Sequence, residues 1–143
     1  MTTNIGAWPI DATSIVGQLR EVVGDIDGVQ LPPPDESMAE FSYFSDSELD
    51  SLYSVAEQSF LRATGLAYRR LAVYLTLEST DIQSDDLRIR TIERAKAMRQ
   101  IAQDFMADAD ADDERAGADI FMVSPYVRPE SETRRPEAMP WSI

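Results

Sequence analysis

Apolar residues recur every three to four positions through three stretches of this chain, and each stretch opens near a residue suited to capping a helix. The first is DATSIVGQLREVVG, where Ile15, Leu19, Val22 and Ile26 keep helical spacing and Val16 and Val23 widen the stripe. Asp11 or Thr13 is placed to cap its start, and Gly24 to end it in a left-handed conformation. The second stretch begins at FSDSEL. Ser45 and Glu48 make a capping box there, Phe44 and Leu49 a hydrophobic staple, and Leu49, Leu52, Tyr53 and Ala56 follow at i, i+3, i+4 and i+7. The apolar face resumes in SFLRATGLAYRRLAVYLTLE with Phe60, Ala67, Leu71, Tyr74 and Leu75. The pattern allows either one helix from Asp46 to Glu78 or a break near Gln58. Gly65 disfavours helix by roughly 1 kcal/mol but permits a second helix to approach closely.

In the third stretch Ser84 is placed to cap a long helix whose first turn carries Asp85 and Asp86, where carboxylates favour the positive end of the helix dipole. Ala95, Met98, Ile101, Ala102 and Phe105 form its expected core stripe, and Arg88, Arg94, Lys96, Arg99 and Gln103 its polar side. Between the first two stretches lies DIDGVQLPPPDES, in which Pro32 to Pro34 favour an extended polyproline segment. Beyond Gly117 helical periodicity stops. ADIFMVSPYV reads as strand-like, and Pro125, Pro129, Pro136 and Pro140 interrupt regular structure through the rest of the chain. The predicted fold is all-α: a small helical bundle with two long antiparallel helices, shorter N-terminal helices and an extended C-terminal arm. Its expected divisions are an N-terminal helix and proline-containing linker over 1–44, a helical core over 45–117 and the arm over 118–143.

Composition narrows the chemistry. At 143 residues, 43% of them hydrophobic, the chain suits one domain with tails. No apolar run reaches the roughly 18 residues needed to span a bilayer, and MTTNIGAWPID lacks the basic-then-apolar layout of a signal peptide. Cysteine and histidine are both absent, which excludes disulfides, thiol nucleophiles and every His-dependent triad. The formal charge of −13 is uneven: residues 1–61 hold one basic and eleven acidic residues, whereas residues 62–99 hold eight basic and five acidic. So acidic a chain is repelled by phosphate backbones, which disfavours tight nucleic-acid binding.

DADADDERAGAD, from Asp108 to Asp119, imitates a calcium loop with Asp108, Asp110 and Asp112 at the first three ligand positions. The template then fails, because Asp113 stands where glycine is needed and Asp119 where a bidentate Glu is needed. An acidic helix end terminating near Asp112 is the expected reading, since carboxylates there oppose the dipole. Asp85–Asp86 reads as helix-start electrostatics rather than an acid–base pair. No glycine-rich phosphate loop, G-x-S-x-G or H-E-x-x-H occurs. No enzyme, metal or cofactor is expected. Arg69 and Arg70, set within an apolar helix, with Arg88 and Arg94 on the next, are candidates for inter-subunit pairing with the acidic first half.

WPIDATSIVGQLREVVGDID, FSDSELDSLY, DIQSDDLRIRTIERAKAMRQIAQ and the DIFMV segment, in this order and spacing, resemble the head–tail connector (adaptor) proteins of long-tailed bacteriophages, notably those of actinobacteria. The matching stretches touch most of residues 8–123. The resemblance implies a structural protein that forms a ring, typically of twelve copies, beneath the portal at the capsid vertex. Such a ring extends the double-stranded DNA channel without specific DNA binding and joins the capsid to the stopper or head-completion protein. It further implies assembly in the host cytoplasm, residence in the neck of the virion, and a carboxy-terminal segment that docks into the portal. Ile120, Phe121, Val123, Tyr126, Met139, Trp141 and Ile143 would then be the apolar residues of a docking arm. The 24 residues from Ile120 to Ile143, fully extended, span roughly 80 Å. The rival reading from another class is an acidic inhibitor that mimics DNA.

Overall fold

The computed structural model describes residues 3–122, with side chains through Ala118. Within them lie four helices, α1 (Ile15–Val23), α2 (Asp46–Val55), α3 (Phe60–Asp81) and α4 (Asp85–Met122), and three short strands, β1 (Ile5–Ala7), β2 (Val29–Gln30) and β3 (Met38–Glu40). The fold is broadly all-α, as the periodicity predicts. The chain divides into two compact units, Met1–Ala111 and Asp112–Ile143. The first holds the sheet, α1 to α3 and most of α4; the second, as far as it is described, is the end of α4.

The helix boundaries follow local chemistry, with one substitution of roles. Ser14, rather than Asp11 or Thr13, caps α1, its side chain accepting from the Gly17 amide. Asp11 instead closes a turn just ahead of the helix by accepting from the amide and hydroxyl of Thr13. Those two bonds hold the Asp11 carboxyl below its ordinary value, the side-chain bond contributing most. At the other end Gly24 sits at φ 80°, and the amides of Gly24 and Asp25 close onto Glu21 and Arg20 as a Schellman motif. The capping box at α2 forms as expected, with Phe44 and Leu49 both fully buried.

The break near Gln58 is real. The amides of Glu57 and Gln58 bond back to Ser54 and Tyr53, a second Schellman closure, and Ser59 then caps α3. Glu57 and Gln58 adopt φ 56° and φ 62°, left-handed conformations more usual for glycine.

Two expectations for the first 44 residues are corrected. The apolar stripe of α1 is rotated by about one position. Val16, Leu19, Arg20 and Val23 form the inward face, while Ile15 and Val22 face solvent and Ile26 falls beyond the helix. The linker is not polyproline: a turn at Pro33–Pro34 reverses the chain, so that β2 and β3 pair as a hairpin. With β1 on the other side of β3, the result is an antiparallel sheet of order β1-β3-β2. Strands of two or three residues carry too little alternation to be read as anything but linker.

α3 packs on both sides. Ala63, Ala67 and Leu71 join Leu19, Phe44, Leu49 and Ala56 in the main core, and Phe60 and Tyr74 border it. On the side toward α4, Gly65, Ala72 and Ser79 are buried at intervals of seven, as are Ala95, Ala102 and Ala109 on α4. A repeat of seven small residues apart marks a nearly antiparallel, closely approaching helix pair. The pairing runs from Arg62–Asp110 (2.9 Å) through the Tyr68–Phe105 ring stack (5.7 Å) to Thr76–Arg99 (3.0 Å). Gly65 is a point of close approach, since a Cβ there would lie 3.2 Å from the Ala102 carbonyl oxygen.

α4 does not stop near Asp112, and Asp119 to Met122 are helical rather than strand-like. Alanines at 107, 109, 111, 116 and 118 favour helix, and an Asp112–Arg115 pair at i,i+3 (2.6 Å) offsets the adverse dipole.

Candidate interaction surfaces

A dense buried polar cluster among the described residues is one that sequence reasoning missed. Arg20 is the single cation in residues 1–61 and is 1% exposed. Its Nη1 donates to Asp25 (2.9 Å) and to the Phe44 carbonyl (3.0 Å), its Nη2 donates to Asp46 (2.7 Å), and its guanidinium lies 3.6 Å over the Phe41 ring. Asp25 in turn accepts the amides of Ser42, Tyr43 and Phe44, and Asp46 accepts that of Ala7. The cluster ties α1, the sheet and the start of α2 together. No buried side-chain polar atom is left without a partner among the described residues, so the cluster is a rivet and not a binding site. The signal that could have found it was a lone arginine at the i+4 position of the stripe Val16, Leu19, Val23.

The four arginines expected between subunits separate. Arg70 is engaged within its own chain, donating to Glu48 (2.8 Å) and to the Tyr74 hydroxyl (3.0 Å). Arg69, its immediate neighbour, is exposed on α3. Arg88 and Arg94 are exposed near the start of α4. Of the expected docking residues, Ile120 and Phe121 belong to the last turns of α4, while Val123, Tyr126, Met139, Trp141 and Ile143 lie outside the described residues.

The acidic run is helical, so Asp108, Asp110 and Asp112 project in alternating directions instead of converging as a loop would make them. Asp110 is paired with Arg62 and Asp112 with Arg115. Among the described residues no group of three or more carboxylates gathers to hold a metal ion. None of the described helices is long and apolar enough to cross a membrane.

Two of the shallow depressions among the described residues bear on function. One, of about 300 Å³, is lined by Asn4, Ser42, Tyr43, Tyr74 and Glu78, and brings a single carboxylate together with neutral groups. The other, of about 160 Å³, lies between α3 and α4 and is lined by Arg69, Val73, Arg99, Ala102 and Gln103. Neither assembles a nucleophile with a base, or an acid with a second carboxylate. What both offer is surface for contact. The second lies on a side of the helix pair where exposed aliphatics and cations alternate: Val73 is 49%, Leu77 60% and Ile89 55% exposed. Compared with protein-family models, with curated proteins and with solved structures, the chain matches none.

Proposed function

We propose that this chain is a non-enzymatic connector of a bacteriophage neck, which assembles as a ring beneath the portal and joins the capsid to the next neck component. The observation that carries this reading is the ordered set of sequence segments resembling head–tail connectors, whose described residues lie mainly in α1, α2 and α4. Two physical features support it. Each face that could act in this fold is a contact surface, with no converging chemistry among the described residues. The strongly acidic surface also suits a DNA conduit, because a wall of like charge keeps phosphates from adhering as the duplex slides past. The corresponding location is the virion neck, after assembly in the host cytoplasm. The docking of residues 120–143 into the portal is part of the same proposal.

Negative-stain imaging of the purified chain mixed with its portal tests the reading. Class averages with an annulus stacked on the portal are expected, and specific antibody should label the vertex of intact virions. A chain that stays monomeric beside its portal and is missing from virions sinks the proposal. Capture of a host nuclease from infected cells, without portal, would favour the DNA-mimic reading instead.

A further inference from the structure

We infer that copies of this chain join head-to-tail, the cationic side of the α3–α4 pair of one copy seating on the acidic outer face of the sheet of the next. The inference rests on the ring reading and names the surfaces that would close it.

The first surface runs along both long helices. Arg69, Val73 and Leu77 stand at i, i+4 and i+8 on α3, and Ile89, Lys96 and, beyond them, Arg99 stand on the matching side of α4. The shared depression and the Arg99–Thr76 hydrogen bond place these two rows beside each other. Three aliphatic side chains there, Val73, Leu77 and Ile89, are between 49% and 60% exposed to solvent. Arg69, Lys96 and Arg99 have no ion-pair partner among the described residues.

The second surface has the opposite sign. Because the one cation of residues 1–61 is buried, every exposed charge in that part of the chain is an acid. The sheet register sets Val29 directly across from Glu40, and Met38 two positions along β3 shares that outward face, while Ala39 points inward and is fully buried. Val29 is 73% exposed and Met38 39%. Glu36 rims the same hairpin. An apolar centre bordered by acids is thus available to meet an apolar centre bordered by bases. Since the two faces differ, their union is heterologous and generates a closed ring or a filament, not a two-fold dimer. Such complementarity fixes register and rejects like-charged partners.

The test uses two full-length variants, Arg69→Glu/Lys96→Glu on the helices and Glu36→Lys/Glu40→Lys on the sheet, compared by sedimentation and mass photometry. Wild type is expected to assemble, and each variant alone to assemble at least tenfold more weakly. An equimolar mixture of the two is expected to recover assembly, because each supplies the face that the other has reversed. The variant carrying all four changes should assemble with itself, which also checks that the reversals leave the fold intact.

Variants that assemble like wild type overturn the surface assignment while leaving the ring standing. A mixture that fails to recover does the same. Wild type that remains monomeric at every concentration, alone and with the portal, overturns both. Retention of duplex DNA by wild type that is lost in Arg69→Glu/Lys96→Glu, with self-association unchanged, assigns the helix face to DNA and also overturns the inference.

Discussion

A single buried cation organises the first half of this molecule. Arg20 makes three charge-assisted hydrogen bonds at 2.7 to 3.0 Å and covers an aromatic ring, and its removal leaves the buried Asp25 carboxylate with backbone amides but no counter-charge. Breaking a buried pair by deleting one partner costs about 3–5 kcal/mol. Arg20→Met is therefore expected to destabilise by that amount, measured by urea unfolding, and a loss below 1 kcal/mol would contradict the rivet role. At Glu57 the opposite sign holds. Its φ of 56° costs a side-chain-bearing residue on the order of 1 kcal/mol that glycine does not incur. Glu57→Gly, at an exposed position, should raise stability by about 0.5–1 kcal/mol, less whatever glycine adds to the freedom of the unfolded chain.

At the scale of elements, the contact between α3 and α4 depends on small residues. Gly65 has no room for a branched side chain against the Ala102 carbonyl and Met106. Gly65→Val should separate the two helices at that crossing and cost about 1–3 kcal/mol, read as a lower denaturation midpoint and faster amide exchange in both helices. Tyr68 joins three elements by stacking on Phe105 and donating to the Val22 carbonyl (2.9 Å). Burial raises its hydroxyl above the ordinary 10.0, so the fold binds that proton more tightly than the unfolded chain does. This contribution is whole below pH 10.0 and is lost as pH climbs through the raised value. Tyr68→Phe should flatten that part of an alkaline stability profile; an unchanged slope would remove Tyr68 as its source.

For the whole molecule, charge decides behaviour. The formal −13 already counts every cation, and Arg20, Arg62 and Arg70 are each committed to acids of their own chain. The remaining cations are concentrated on the long helices. Opposite exposed charges attract over roughly 10 Å at 0.1 M salt and less at higher salt. The proposed self-assembly of wild type, monitored by light scattering, is accordingly expected to weaken steadily as sodium chloride rises. Salt-insensitive particles would indicate that aliphatic contact dominates, with charge setting only the register.

Much of this architecture is legible in the residues themselves. The capping box at Ser45 and Glu48, the left-handed stop at Gly24 and the two long helices with Gly65 as a point of close approach are written locally, because caps, turns and helical periodicity depend on neighbours within a few positions. The break near Gln58 is only one of two alternatives in the pattern, since no glycine marks the left-handed closure at Glu57 and Gln58. Tertiary structure alone decided which side of α1 turns inward, since an arginine enters a core only when Asp25, Asp46 and the Phe44 carbonyl wait there to receive it. It also decided the three-stranded sheet, whose strands are too short to declare themselves until residues 5–7 and 38–40 meet. The same holds for the division between Arg69, left facing outward, and Arg70, drawn onto Glu48 and Tyr74: adjacent and chemically identical, they are told apart only by what stands on each side of the helix.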